Sequence, residues 1–192
     1  MPRLLVITST TRPGRVGTAV ADWVLTLARE HGGFEVALAD LAEIGLPFLD
    51  EPEHPSESAY LHEHTRRWSE TVEAADAFLI LAAEYNRGIT APLKNALDLL
   101  YAEWAGKPVG FVSYGMSSAG LRAVEMITPV AVALGMTPLP DVVALPLREV
   151  LDADGRLAVP GEHRERGVHG LLEELRRYSE ALGQLRKPAA AA

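Results

Sequence analysis

The stretch LLVITSTTRPGRVGTAVADWV, Leu4 to Val24, joins an apolar segment to an amphipathic pattern through an unusual loop, and this junction indicates the class of fold. Leu4 to Ile7 form a continuous apolar run, which is typical of a strand buried on both faces. From Ala19 onward, apolar residues recur at helical spacing until the pair Gly32-Gly33 ends the pattern. The sequence therefore predicts the strand, loop and helix with which a parallel α/β sheet begins.

The loop between this strand and helix, Ser9 to Gly17, has the composition of an anion site. Gly14 and Gly17 permit a tight turn, and the free amides at a helix N-terminus favour an anion. Thr10 adds a hydroxyl, and Arg12 adds a guanidinium that can pair with a phosphate. The loop matches neither the Walker pattern nor G-x-G-x-x-G. A capped turn with solvated arginines explains the same residues, so both interpretations stay open at this point.

Four further apolar segments alternate with helical patterns along the rest of the chain. Strands are predicted at Phe34–Leu41, Asp76–Ala83, Lys107–Gly115 and Asp141–Pro146, and helices at about 60–75, 91–101, 121–134 and 168–182. Right-handed crossovers then predict an α/β, flavodoxin-like three-layer αβα sandwich with a five-stranded parallel sheet in the order 2-1-3-4-5. We expect one domain over residues 1–186, followed by a flexible tail at 187–192.

Composition narrows the classes of function. The net charge of −8 argues against binding to nucleic acid, and no apolar run reaches the roughly 20 residues of a membrane helix. The chain has 0 cysteines, which excludes thiol chemistry within it, and no signal-peptide pattern is present, so we expect a cytoplasmic protein. No metal site is predicted, because the spacing of His54, His62 and His64 matches no standard ligand set.

Ligands of such sheets bind beyond the carboxyl ends of the strands, where the strand order reverses between the first and third strands. Three loops border that point: Ser9–Gly17, Ala83–Thr90 and Tyr114–Gly120. In the second loop, Tyr85 can pack near a planar ligand, and Asn86 can brace the loop or bind the ligand. Glycines and serines in the third loop allow a flat ring to approach the backbone, although a plain connector with a capping serine has the same composition.

Together these loops resemble the NADPH-dependent FMN reductase family, whose members are flavodoxin-like flavoproteins. The family pattern G-S-x-R-x-x-(S/R)-x-(N/G) corresponds here to STTRPGRVG at 9–17. The patterns P-E-Y-N-x-(G/S) and L-K-N-A-x-D correspond to AEYNRG at 83–88 and LKNALD at 93–98. The resemblance spans residues 4–134. The chain departs from the pattern at Ser9 and Ala83, which stand where the family has glycine and proline, and at Thr10, which replaces a serine and keeps the hydroxyl.

The resemblance implies an FMN cofactor, NADPH or NADH as co-substrate, and a small-molecule electron acceptor such as free flavin, a quinone or an azo compound. It implies no catalytic side chain, because the flavin N5 carries the hydride chemistry. The implied contacts to the FMN phosphate come from Thr10, Arg12, Arg15, Val16 and Gly17. Those to the isoalloxazine and ribityl region come from Glu84, Tyr85 and Asn86. Those to the pyrimidine side of the ring come from Ser113, Tyr114, Gly115 and Gly120.

Several points stay open after the resemblance. Arg15 fits the FMN phosphate, the NADPH phosphate or solvent. Lys94 and Asn95 fit either a ligand or a packed helix face. The family implies ping-pong kinetics and a homodimer or homotetramer, for which Trp68, Tyr101 and Trp104 offer an apolar interface, although core packing explains these aromatic residues equally.

Two other functions fit the same fold. A non-enzymatic FMN electron carrier of the flavodoxin type suits the acidic charge of the chain. Flavodoxins, however, use a T-x-T-G-x-T phosphate loop without arginine, whereas this loop contains Arg12 and Arg15. A scaffold that binds no flavin is the third alternative.

Overall fold

The computed structural model describes residues 1–158 and 160–186, so the predicted tail at 187–192 lies outside the described residues. Five strands form one parallel sheet in the order β2-β1-β3-β4-β5, which confirms the predicted flavodoxin-like arrangement. The strands are β1 Arg3–Thr8, β2 Glu35–Asp40, β3 Ala77–Ala83, β4 Pro108–Gly115 and β5 Thr137–Pro146. The helices are α1 Gly17–His31, α2 Leu41–Ile44, α3 Glu63–Glu73, α4 Ala91–Asp98, α5 Leu121–Ala133, α6 Leu147–Val150 and α7 Glu162–Arg186.

The sheet separates two cores, and its strands contribute alternate residues to each. In β1, Leu4 and Val6 pack in the core that α1 and α7 cover, whereas Leu5 and Ile7 pack in the core beneath α3, α4 and α5. Covering helices on both faces explain why β1 and β3 are apolar at successive positions rather than at alternate ones. Of the helices in the described residues, none combines the length and the apolar character needed to cross a membrane.

Helix α3 begins later than its apolar pattern predicts. It starts at Glu63 rather than near Tyr60. The carboxylate of Glu51 accepts hydrogen bonds from the backbone N–H groups of Leu61 and His62, at 2.7 and 3.0 Å. These bonds keep the preceding segment outside the helix, because its amides are already satisfied by a side chain from the adjacent loop.

Strand β5 begins earlier than predicted, at Thr137 rather than Asp141. The prolines at 138 and 140 argue against a strand in a sequence taken alone. This strand, however, forms an edge of the sheet and pairs with β4 alone. At an edge, a proline whose nitrogen faces away from the sheet removes no ladder hydrogen bond, so the strand extends through both prolines.

Trp68 and Trp104 belong to the core beneath α3, α4 and α5, and not to an exposed interface. Their side chains are buried, and their ring centroids lie 6.0 Å apart in an edge-to-face arrangement. Trp68 Nε1–H donates to the carbonyl of Ala96 at 2.8 Å, whereas Trp104 Nε1 has no acceptor among the described residues. Of the three aromatic residues considered for an interface, Tyr101 is the one that the structure leaves exposed.

The two tryptophans form a matched pair for a test of the core. Replacing either with Phe removes a similar volume of buried ring, but Trp68→Phe also leaves the Ala96 carbonyl without its donor. We therefore expect Trp68→Phe to lower the free energy of unfolding by about 1 kcal/mol more than Trp104→Phe does. Urea denaturation of both variants measures this difference, and equal losses would contradict a stabilising role for the Trp68 hydrogen bond.

Candidate functional site

Ser9 joins the first two loops at the point where the strand order reverses. Its hydroxyl donates to the carbonyl of Leu81 at 2.6 Å and accepts the N–H of Ala83 at 2.9 Å. Its own carbonyl accepts the Thr90 hydroxyl at 2.6 Å, and the side chain is fully buried. Sequence reasoning treated Ser9 as a departure from the family glycine. The structure gives it a specific function, since a glycine has no hydroxyl to make these bonds.

The first loop ends at a helix N-terminus whose donors are free. Helix α1 begins at Gly17, and its N-cap, Val16, provides no side-chain hydrogen bond. Within the part of the chain that the structure describes, the backbone N–H groups from Val16 to Ala19 have no acceptor. Arg12 is exposed and forms no ion pair with a described residue. Free amides, the positive end of the helix dipole and a free guanidinium fit a phosphate group.

Tyr114 links the third loop to the first. Its backbone lies near the end of β4, but its hydroxyl is 3.3 Å from Thr10 Oγ1, and both side chains are buried. Burial raises the pKa of Tyr114, and the hydrogen bonds from Thr10 and Ser9 oppose that rise only in part. Gly17 packs against this pair, since a Cβ on Gly17 would lie 2.6 Å from Tyr114 Oη. Thr10 and Tyr114 therefore pack beneath the first loop, in contact with Gly17.

Arg15 makes an ion pair that sequence reasoning did not anticipate. Its guanidinium donates to Asp40 at the end of β2, and the two side chains are 17% and 8% exposed. Asp40 also accepts the Thr8 hydroxyl and the N–H of Ala42, each at 3.0 Å. Asp40 was missed because a single carboxylate after an edge strand has no motif. Its position at the carboxyl end of a strand beside the first loop was the available signal.

The second loop folds as a two-residue turn between Tyr85 and Gly88. The N–H of each donates to the carbonyl of the other, at 3.1 and 3.0 Å. Asn86 and Arg87 have φ angles of +50° and +71°, as a type I′ turn requires. Asn86 tolerates this left-handed conformation better than most residues, so it shapes the turn while remaining exposed. Tyr85, which is 41% exposed, is held at the mouth of the site.

The carboxylate of Glu84 fastens the second loop to the third. It accepts hydrogen bonds from the Ser118 hydroxyl and from the Arg122 backbone N–H, the latter at 3.3 Å. It also forms an ion pair with the Arg122 guanidinium at 3.0 Å, with only 9% of the Glu84 side chain exposed. Burial alone would raise the pKa of Glu84, but the bonds from Ser118 and Arg122 and the charge of Arg122 lower it overall. Glu84 is therefore an ionised brace.

The third loop turns sharply through two glycines that nothing larger would fit. Gly120 has a φ angle of +87°, and a Cβ there would lie 2.5 Å from the backbone nitrogen of Tyr114. A Cβ on Gly115 would lie 2.9 Å from the backbone nitrogen of Gly120. The buried hydroxyl of Ser113 donates to the carbonyl of Ala119 at 2.8 Å, which closes the loop on itself. The loop is compact and brings backbone close to the site.

The polar residues of α4 and the histidines serve the surrounding structure. Lys94 pairs with Asp98, and Asn95 holds the loop after α2, donating to the Pro47 carbonyl at 2.7 Å and accepting the Leu49 N–H at 3.1 Å. His64 pairs with the Asp50 carboxylate at 2.9 Å. Over residues 1–158 and 160–186, no three His, Asp or Glu side chains converge to hold a metal ion.

Comparison with known proteins agrees with this geometry. The sequence model of the NADPH-dependent FMN reductase family matches residues 2–149. An NAD(P)H-dependent FMN reductase of Schizosaccharomyces pombe is 33% identical over 188 residues, covering 97% of this chain and 86% of that protein. One from Nectria sp is 31% identical over 152 residues, covering 76% of each. FerB of Paracoccus denitrificans, a flavoenzyme NAD(P)H:(acceptor) oxidoreductase, shares the fold with a TM-score of 0.72 and 20% identity, over 94% of this chain and 98% of that one.

The brace at Glu84 predicts a pH-dependent stability. Because the folded-state pKa lies below the ordinary 4.5, the ionised carboxylate stabilises the protein above that value and stops doing so as pH falls through the folded-state pKa. We expect Glu84→Gln to lower the free energy of unfolding at neutral pH by about 1–2 kcal/mol. Thermal unfolding of wild type and variant, recorded from neutral pH down to acid, should show the difference shrinking below pH 4.5.

The matched control for that experiment is Glu30→Gln, which makes the same change of charge at an exposed position of α1. Glu30 has no side-chain partner among the described residues, so its replacement should leave the unfolding midpoint nearly unchanged. A difference between wild type and Glu84→Gln that stays constant down to the lowest pH would contradict the ionised brace.

Proposed function

The chain belongs to the NADPH-dependent FMN reductase family, and on that premise we propose that it is an FMN-dependent NAD(P)H oxidoreductase that reduces a small-molecule acceptor. One observation carries the proposal: among the described residues, the amides at the start of α1 and the Arg12 guanidinium have no partner, and the adjacent parallel strands β1 and β3 bring them to the same end of the sheet as the turn that presents Tyr85. A phosphate and a flat ring are the two ends of FMN. We further propose that residues 1–186 act as one flavin-binding domain in the cytoplasm.

The FMN phosphate would bind at the start of α1. The amides of Val16, Gly17 and Thr18 supply donors, and the helix dipole adds favourable potential for a dianion. Arg12 supplies a charge that no described carboxylate neutralises. Thr10 contributes in a different way from the amides, because its buried hydroxyl pairs with Tyr114 and supports Gly17 from below.

The isoalloxazine ring would lie between the second and third loops. Tyr85 offers an exposed aromatic face, and the backbone of the Asn86 turn offers polar groups at the ring edge. Gly115 and Gly120 allow the backbone of the third loop to reach the pyrimidine side of the ring. Glu84 would position the ring indirectly. Its carboxylate bonds to Ser118 and Arg122, and so it holds the second and third loops together around the ring.

When bound, FMN supplies the redox chemistry, accepting hydride from NADPH or NADH and passing electrons to free flavin, a quinone or an azo compound in ping-pong order. The protein residues have the simpler task of holding the cofactor and leaving one face open. No side chain is needed as acid or base for that task. The relatives in Schizosaccharomyces pombe and Nectria sp are NAD(P)H-dependent FMN reductases, which supports the choice of coenzyme and of flavin.

A second copy of the chain would complete the site, in a homodimer or homotetramer. Apolar side chains stay exposed around the mouth of the site: Tyr85 is 41% exposed, Met116 54%, Leu121 42% and Met126 48%. Such a group of exposed apolar residues is typical of a surface that a partner covers. Trp68 and Trp104 play no part in this interface, because both lie in the core.

Turnover of NAD(P)H by the purified protein tests the enzyme. With FMN present, we expect steady oxidation of NADPH or NADH that depends on an added quinone, azo dye or excess flavin. Initial velocities at several fixed acceptor concentrations should give parallel double-reciprocal lines, as ping-pong order requires. The visible spectrum of the protein, recorded first at about 450 nm, reports whether flavin is bound.

Two other outcomes would assign the alternatives. A protein that binds FMN but oxidises neither coenzyme with any acceptor is an electron carrier of the flavodoxin type. A colourless protein whose unfolding temperature does not rise with added FMN is a scaffold, because a ligand that binds the native state must raise it.

Arg12→Ala tests the phosphate assignment. Removing the free guanidinium should weaken FMN binding by about 1.5–3 kcal/mol, since the lost bonds involve two charged groups. Riboflavin, which lacks the phosphate, should bind the variant as it binds the wild type. Quenching of flavin fluorescence measures both affinities.

The matched control is Arg29→Ala, at the other end of α1. Arg29 is exposed, and its side chain makes no ion pair with a described residue. The Arg29→Ala substitution removes the same charge as Arg12→Ala but leaves the first loop unchanged, so FMN affinity should stay close to that of the wild type. Equal weakening in both variants would show a general effect of charge and would contradict a contact from Arg12.

A further inference from the structure

The first loop has few polar attachments between Thr11 and Val16. Two bonds join this segment to described residues. The Val16 carbonyl accepts the N–H of Val20 as part of α1, and the Arg15 guanidinium donates to the Asp40 carboxylate. The residues from Thr11 to Gly14 are all exposed. Gly14 has a φ angle of +68°, a left-handed conformation that glycine adopts without the steric cost that other residues meet. The loop is therefore held by this pair and by the packing of Val16 against the core that α1 and α7 cover.

Asp40 is itself fixed from three sides. One carboxylate oxygen accepts the Thr8 hydroxyl and the N–H of Ala42, and the other accepts Arg15. Thr8 is the last residue of β1 and is fully buried, and Ala42 lies in the first turn of α2. The Asp40 carboxylate is thus held in place by the sheet, and it in turn holds the first loop through Arg15.

The pair places a buried negative charge beside the proposed phosphate site. An unpaired carboxylate there would repel a dianion and would also be costly to bury. Arg15 cancels that charge, so the pair as a whole contributes little net potential to the site. Arg12 is left as the guanidinium of the loop that no carboxylate of residues 1–158 or 160–186 neutralises.

We propose that Asp40 is a positioning residue for FMN binding, and that it acts by holding Arg15 so that the first loop presents its amides to the phosphate. Arg15 is then a strut of the loop and not a ligand of the phosphate. This inference rests on the proposed function, since it concerns how the same phosphate site is built. It also assigns a role to Asp40, which neither the sequence pattern nor the family resemblance selected.

The opposite assignment makes a prediction of opposite sign. If Arg15 were a phosphate ligand, removing the charge of Asp40 would free it and would remove a repelling anion, so FMN binding would stay constant or tighten. If Arg15 is a strut, removing that charge loosens the loop, and FMN binding weakens although an anion has been taken away. The direction of the change in affinity distinguishes the two.

Asp40→Asn is the decisive variant, because asparagine keeps an acceptor for Thr8 and Ala42 while losing the ion pair. We expect FMN affinity to fall about tenfold and riboflavin affinity to stay near that of the wild type. The double variant Asp40→Asn with Arg15→Gln should bind FMN as Asp40→Asn alone does. Arg15→Gln alone is uninformative for this purpose, since it leaves Asp40 charged and unpaired.

Asp76→Asn is the matched control for lost stability. Asp76 pairs with Arg186 at 2.9 Å and directly precedes β3, so it lies at the amino end of the parallel strands, opposite the carboxyl end at which the proposed site lies. This control should lower the unfolding temperature as Asp40→Asn does and leave the ratio of FMN to riboflavin affinity unchanged. Equal loss of that ratio in both variants would reduce the effect of Asp40 to general stability and would overturn the proposal.

The remaining outcomes are equally definite. Unchanged or tighter FMN binding by Asp40→Asn would overturn the proposal, as would a double variant much weaker than Asp40→Asn, because either result makes Arg15 a ligand. Failure of the proposed function is a separate result: the wild-type protein would then bind FMN no more tightly than riboflavin. Measuring the wild type first therefore separates the two failures.

Discussion

The site depends on how the end of β1 is held against β3. Within the sheet, backbone hydrogen bonds hold the two strands together as far as Thr8 and Leu81. Beyond that point the chain leaves the sheet, and the Ser9 hydroxyl bonds to the carbonyl of Leu81 and the N–H of Ala83. These are the backbone groups on either side of Ala82 that a further residue of β1 would meet in a parallel ladder. A side chain thus satisfies buried backbone groups where the first loop must turn away.

From this junction, each loop is fastened to its neighbours by a buried polar contact. Tyr114 reaches Thr10 beneath the first loop, and Glu84 holds the third loop. Two arginines near these loops are paired with carboxylates, Arg15 of the first loop with Asp40 and Arg122 of α5 with Glu84. The Arg12 guanidinium and the first amides of α1, which have no partner in the described part of the chain, then form a local positive region in a protein whose net charge is −8. A local positive region of this size suits the single phosphate of the proposed cofactor, whereas the negative net charge disfavours a polyanion.

The sequence predicts the sheet and its order well because burial on both faces leaves a direct pattern: β1 from Leu4 to Ile7 and the whole of β3 are apolar at successive positions. The sequence also predicts which loops meet, because the carboxyl ends of parallel strands lie at the same end of the sheet. It does not predict the contacts between the loops. Asp40 lies 25 residues from Arg15 in the chain, and no local spacing links them. The direction of the Tyr114 side chain and the burial of both tryptophans likewise follow from tertiary packing.

A crystal structure of the protein with FMN would locate the phosphate and the ring. We expect the phosphate at the start of α1, within hydrogen-bonding distance of the amides of Val16 to Thr18 and of the Arg12 guanidinium. We expect the ring beside Tyr85, with Arg15 still paired to Asp40. A phosphate bound elsewhere, or one bound to Arg15 after that residue has left Asp40, would rule out the proposed phosphate site.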